Sequence, residues 1–251
     1  MKILGVIPAR YASSRLPGKV LLDIGGRPMI QMVYERAGRA SCLDELVVAT
    51  DDERVRDAVR AFGGAVVMTD PAHPNGTSRS AEVAKSREVD FVVNIQGDEP
   101  LLDPEMIDEV ARTLVSSPDI PAATLCRPIV DDALLKNPNV VKVVCDRLGC
   151  ALYFSRSLIP FPQEGFHVPA FEHVGIYGYT RDFLLKYAEL PMTPLAGTES
   201  LEQLKILENG WKIKVSVTRC SQAGPNVNTP EDLELVRKIV AESIQTGSNA
   251  N

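Results

Sequence analysis

Short apolar runs alternate with amphipathic stretches through the first hundred residues. Residues 3–7, 46–49, 65–68 and 91–95 are compact runs with the length and composition of strands buried on both faces. Between them Met29, Ile30, Val33 and Ala37, then Val55, Ala58, Val59 and Phe62, recur at helical spacing, and residues 81–84 suggest a third helix. Continuous apolar strands separated by amphipathic helices predict an α/β fold, a mostly parallel sheet flanked by helices.

The pattern changes in the second half. Residues 140–144 and 151–154 read as antiparallel strands joined by the turn 146–149, and a Pro/Gly-containing stretch over 157–169 leads to a strand at 173–179. Leu201, Leu204, Ile206 and Leu207 fit a helix, and 213–217 a strand. Leu233, Val236 and Ile239 fit a closing helix that starts at Thr229-Pro230-Glu231-Asp232. There Thr229 can cap, Pro230 fills the first turn and the acids meet the positive end of the helix. We expect one domain over 1–243, an antiparallel extension over about 137–180 that packs on a second subunit or extends the sheet, and a frayed tail after Ala241 that covers 244–251.

Bulk composition narrows the class. With 45% hydrophobic residues, the 251-residue chain can bury a large core without disulfides or metal. A net charge of -6 argues against broad nucleic-acid binding, and no apolar run is long enough to span a membrane. The first apolar run meets Pro8 and Arg10, so it reads as a strand and not an export signal. Five scattered cysteines, each in or beside an apolar segment, read as buried thiols in a reducing, cytoplasmic setting. Trp211 reads as core.

Candidate chemistry concentrates after the first strand, in residues 8–19. Open α/β sheets bind ligands at the carboxyl ends of their strands. Ala12, Ser13 and Ser14 are small enough for backbone N–H groups to approach an anion, and Arg10, Arg15 and Lys19 add three cations. A solvated basic loop would look similar, but Pro8, Pro17 and Gly18 restrict this one. Neither a GxGxxG nor a GxxxxGK[ST] pattern is present, which leaves hydride transfer and P-loop chemistry unsupported. A second cluster, 94–100, follows the fourth apolar run. Asp98 there could hold magnesium shared with substrate phosphates, Gln96 could read a base or a sugar hydroxyl, and Gly97 permits close approach. The alternative is a plain turn. Asp51-Asp52 reads as a helix start. His73 and His167 read as loop residues, and His173 is the histidine placed near a site.

Taken in order, 7–19, 48–52, 94–100, 137–144, 151–156, 173–179, 201–204 and 228–233 resemble the 3-deoxy-manno-octulosonate (Kdo) cytidylyltransferase family over nearly the whole chain. The resemblance implies a nucleotidyltransferase fold with a dimerisation arm, forming a homodimer. It implies a magnesium-dependent transfer of CMP from CTP to an acidic eight-carbon sugar, giving CMP-Kdo and pyrophosphate for lipopolysaccharide inner-core assembly. By position it implies that Arg10, Arg15 and Lys19 hold the triphosphate. Gln96 and Arg79 would lie in the nucleotide site, and Asp98 would bind the metal. Arg156, His173, Tyr177, Glu199, Glu202 and Gln203 would shape the sugar side.

Two positions depart from the family pattern. Ser78 stands where the family carries an acid, and Asn228 stands where it carries a second metal-binding Asp. Asn228 keeps a carbonyl oxygen but no charge. Two other readings follow: the same reaction on an 8-amino sugar, or a non-catalytic nucleotide-binding protein with a weakened metal site.

Overall fold

A computed structural model describes residues 1–13, 16–164, 169–220 and 224–245. Ser14, Arg15 and His167 lie outside the described residues, as does the tail from 246 on. The chain groups into two compact units, Met1–Asp108 with Cys220–Asn251, and Glu109–Arg219.

The first unit opens with β1 (Ile3–Pro8), a single 3-10 turn (Lys19–Leu21) and a small hairpin of β2 (Asp23–Ile24) and β3 (Arg27–Pro28). It continues with α1 (Met29–Ala37), β4 (Glu45–Thr50), α2 (Glu53–Ala61), β5 (Val66–Met68), α3 (Gly76–Lys85) and β6 (Phe91–Asn94). The unit boundary falls inside α4 (Pro104–Val115), and α9 (Pro230–Gln245) completes the first unit. Strands β6, β1, β4 and β5 lie in that order and pair in parallel. The apolar runs explain the arrangement. Leu4, Val6, Ile7, Val48 and Val93 are fully buried, as are Met29, Ile30 and Val33 on α1. Each such side chain contributes about 1.5–3 kcal/mol by leaving water.

Local signals place the ends. Asp52 caps α2 by accepting from the Arg54 N–H, as the acidic pair predicts. Thr229 caps α9: its hydroxyl accepts from the Asp232 N–H at 3.2 Å, and the Asp232 carboxylate accepts from the Thr229 N–H at 2.9 Å. This is a reciprocal capping box.

The second unit holds β7 (Ala122–Pro128), α5 (Asp132–Leu135), β8 (Lys142–Cys145), β9 (Ala151–Ser155) and β10 (Phe171–Thr180). It closes with α6 (Arg181–Glu189), α7 (Pro194–Glu199), α8 (Leu204–Glu208) and β11 (Ile213–Val217). Its sheet is mixed: β11 runs parallel to β7, while β7–β10, β10–β8 and β8–β9 are antiparallel. The expected turn between β8 and β9 is present. Asp146 accepts from the N–H groups of Leu148 and Cys150, and Gly149 takes a positive φ of 71°.

Several expectations need correction. Helices α4 and α6 and strand β7 add to the elements that the hydrophobic pattern predicts. Helix α9 runs on to Gln245, past the fraying point placed at Ala241. Only Cys126 and Cys150 are buried; Cys42 and Cys220 are half-buried, and Cys145 is exposed at the end of β8. Trp211 is 40% exposed and meets Phe183 edge-on, so it is not a core residue.

Candidate functional site

In the first unit the chain steps from β1 out to β4 and β5, then returns to the far side of β1 as β6. This reversal opens a crevice at the carboxyl ends of β1 and β6. A cavity of about 320 Å³ lies there. Arg10, Ala12, Ser13 and Lys19 line it from the loop after β1, and Gln96, Gly97 and Asp98 from the segment after β6. The two stretches singled out by composition therefore share one cavity, with Pro8, Val20 and Gly76 completing it.

The loop is held in place. Gly18 adopts φ 68°, a left-handed conformation that favours glycine, and its N–H donates to the Tyr11 carbonyl at 2.8 Å. The Arg54 guanidinium sits 3.4 Å over the Tyr11 ring and is itself gripped by both Asp52 oxygens at 2.9 and 2.7 Å. Arg10 donates to the His73 carbonyl. Gly97 is required for a different reason: a Cβ there would stand 2.7 Å from the Pro8 carbonyl oxygen. The acid-bearing turn and the first strand could not otherwise lie this close.

Helix α3 contributes its positive end, since its first residue, Gly76, lines the cavity. Asn75 caps it by accepting from the Ser78 N–H at 2.8 Å, and the Ser78 hydroxyl returns to the Asn75 carbonyl at 3.0 Å. Ser78 thus serves the helix start. Arg79, on the same helix, is fully buried and does not line the cavity. One terminal nitrogen donates to Thr69, and the other stands 3.3 Å from Asp51, near enough for an ion pair but without hydrogen-bond alignment. Desolvation lowers the Arg79 pKa, and the Asp51 carboxylate opposes that shift.

At the cavity edge Lys19 gathers three oxygens. Its ammonium donates to Asp98 at 2.6 Å, to the Val227 carbonyl at 3.1 Å and to the Asn228 side-chain oxygen at 3.4 Å. The Val227 N–H returns to the Asp98 carbonyl at 2.9 Å, and the Asn228 N–H donates to Asp232 of the capping box at 2.9 Å. The capping box thus fixes Asn228 as well as starting α9. The Val227 carbonyl had no signal in the sequence, because any residue type would supply it.

The residues assigned to the sugar side all lie in the second unit. Arg156 donates from Nε to the Glu199 carbonyl at 2.7 Å, and from its terminal nitrogens to the carbonyls of Pro138 and Ser200 at 2.9 and 3.4 Å. The Glu199 carboxylate accepts from the Ser155 hydroxyl at 2.6 Å and the Arg156 N–H at 2.9 Å. Gln203 is buried at the start of α8, and the Glu202 carbonyl accepts from the Tyr187 hydroxyl at 3.0 Å.

His173 and Tyr177 flank a bulge in β10, where the register with β7 shifts. The Thr124 hydroxyl fills the bulge, 2.7 Å from the Ile176 carbonyl and 3.0 Å from His173 Nε2. A hydroxyl has one proton, and the shorter contact takes it. His173 is therefore assigned as the Nε2–H tautomer, donating to Thr124 and leaving Nδ1 as an acceptor. The residue as a whole is half-buried, yet its ring is enclosed by Phe154 at 5.0 Å and Tyr177 at 5.3 Å. Desolvation pushes its pKa down to about 3, so the imidazole is neutral. Burial likewise raises the Tyr177 phenol.

Known proteins resemble this chain over nearly its whole length. A family model described as cytidylyltransferase matches residues 4–213. The 3-deoxy-manno-octulosonate cytidylyltransferase of Solibacter usitatus is 51% identical, covering 98% of this chain and 97% of its own. Its counterpart from Fusobacterium nucleatum is also 51% identical, over 97% and 98%. A solved structure of CMP:2-keto-3-deoxy-manno-octonic acid synthetase complexed with CTP superposes with a TM-score of 0.92 at 46% identity, covering 97% of this chain and all of that one.

Proposed function

The chain belongs to the cytidylyltransferase family, within its 3-deoxy-manno-octulosonate group, and from that premise we propose that it transfers CMP from CTP to Kdo with release of pyrophosphate. The observation that carries the reading is the cavity at the ends of β1 and β6, where Arg10, Lys19 and the α3 N-terminus face Asp98. The names of the relatives favour the unmodified sugar over an 8-amino sugar, and enzymes over a binding protein.

The oxygens around Lys19 supply the fit test for magnesium. A carboxylate, a backbone carbonyl and an amide oxygen converge on one cation, and hard oxygen donors suit magnesium. We assign Asp98 and Asn228 to hold the ion, the neutral Asn228 being tolerated because Asp98 and substrate phosphates bring negative charge. When bound, magnesium offsets charge on the phosphoryl oxygens and eases ionisation of the attacking hydroxyl. Lys19 then exchanges carboxylate and carbonyl partners for phosphate oxygens, and Arg10 adds a fork of donors. Ala12 and Ser13 let the loop backbone approach the phosphates, and Gln96 meets the nucleotide. The sugar's anomeric hydroxyl attacks the α-phosphorus in line as pyrophosphate leaves, with positioning and charge stabilisation supplying most of the acceleration.

On the sugar side, three of the five Arg156 side-chain N–H donors meet carbonyls, which leaves two without a partner among the described residues. They suit a carboxylate. His173 Nδ1, Tyr177, Glu199, Glu202 and Gln203 offer acceptors and donors for sugar hydroxyls. Exposed Leu148, Leu152 and Phe161, at 69%, 61% and 80%, support pairing with a second copy of the chain. Among the described residues no helix is long and apolar enough to cross a membrane, and five scattered cysteines suit a reducing cytoplasm.

The test is direct. Protein incubated with CTP, Kdo and magnesium should release pyrophosphate and form a CMP-sugar seen by phosphorus NMR. No release across a broad range of magnesium concentration would defeat the proposal.

A further inference from the structure

Lys142 is an unusual core residue. It lies on β8 with 0% exposure, yet it carries a long charged side chain. Its ammonium has three protons and meets three backbone carbonyls: Asn137 at 3.0 Å, Val140 at 2.6 Å and Arg156 at 2.6 Å. No carboxylate is among these acceptors; peptide dipoles meet the ammonium directly, while Glu199 and Glu172 act on it through space. An apolar residue would fill β8 at lower desolvation cost, so the three hydrogen bonds of the buried ammonium set this position apart.

What it organises is a closed ring of contacts around Arg156. Lys142 grips the Arg156 carbonyl and both ends of the segment 137–140. The Arg156 side chain grips Pro138 in the middle of that same segment, together with the carbonyls of Glu199 and Ser200. The Glu199 carboxylate closes the ring on Ser155 and the Arg156 N–H. Ser200, in this ring, is a non-glycine residue held in the left-handed region at φ 52°. Through these contacts Lys142 braces the backbone around Arg156 and the segment that the guanidinium itself grips at Pro138.

We infer that Lys142 is a positioning residue for sugar-acid recognition: by tying the segment 137–140 to the Arg156 carbonyl, it orients the Arg156 fork toward the carboxylate of the acceptor. This rests on the cytidylyltransferase reading above. It predicts an effect confined to the acceptor, because the residues assigned to the triphosphate belong to the first unit and share no contact in this ring.

The experiment uses the full-length enzyme and steady-state kinetics with each substrate varied in turn. Wild-type turnover of CTP and Kdo comes first; its absence defeats the functional reading and leaves the assignment of Lys142 without an enzyme to position. Given turnover, Lys142→Met should raise the KM for Kdo by about tenfold or more, as expected for a misplaced binding group, while the KM for CTP stays within about twofold. Lys142→Gln, which keeps two N–H donors and buries no charge, should fold more readily and show a smaller shift of the same kind. A fall in melting temperature with both KM values unchanged, or with both raised equally, would assign Lys142 to stability alone and overturn the inference. Failure of both variants to fold would overturn it in the same way.

Discussion

The two units handle charge in opposite ways. Around the cavity of the first unit, Lys19 meets the Asp98 and Asn228 side chains, which a ligand can displace, together with the Val227 carbonyl, and both partners of the ion pair remain partly exposed, at 14% and 22%. In the second unit all three Lys142 donors and three of the five Arg156 donors go to backbone carbonyls, which cannot rotate away. The first arrangement is exchangeable and suits a triphosphate with its counter-ion, whose charges must be met and released each turnover. The second is fixed in advance and suits a sugar that must be aimed. Preorganisation of the second kind reduces the ordering cost of binding, whereas the first keeps charges poised for exchange.

The comparison can be broken most forcefully at Asp98. Replacing it with Ala removes the carboxylate shared by Lys19 and the proposed magnesium, and should lower turnover by about 100- to 1,000-fold, in the range of losing one transition-state charge contact. Pyrophosphate release at saturating magnesium measures it; a loss repaired simply by adding metal would show that Asp98 only tunes affinity. Asn228→Asp should act more gently. It adds the missing charge beside Lys19, so half-maximal magnesium should fall severalfold, by roughly 1 kcal/mol of added binding, with turnover retained or improved. An unchanged magnesium titration would mean Asn228 does not face the ion.

The smallest effect tests the fixed unit. His173 has a pKa lowered from 6.5 to about 3 by burial, so between those values the unfolded chain binds more protons than the native one. Stability is therefore complete above pH 6.5 and declines as pH falls toward 3. His173→Gln, which keeps a donor for Thr124, should flatten that part of a melting-temperature profile. A wild-type and variant profile of equal slope would show that the imidazole is not desolvated as the ring contacts imply.

Much of this was legible in sequence because it is local. Apolar runs of strand length, the Asp52 cap, the Thr229-to-Asp232 start of α9 and the 146–149 turn each need only neighbouring residues, and each formed where expected. The basic loop and Asp98 were recognisable because small, cationic and acidic residue types carry their chemistry with them. Helix α4 and strand β7 lie outside the elements that the pattern predicts, although Met106, Ile107, Val110 and Leu114 of α4 and residues 122–126 of β7 are buried.

Residue types and their order alone determined that strands would alternate with helices, that a cationic turn would follow β1, and which family the motifs resemble. Tertiary structure alone decided that Lys19, Asp98, Val227 and Asn228 surround one point, that Arg79 is buried away from the cavity, and that Lys142 points inward onto carbonyls. Backbone oxygens and burial depend on which distant segments the fold brings together, and carbonyls are identical in every residue. Side-chain chemistry can be read one letter at a time; convergence cannot.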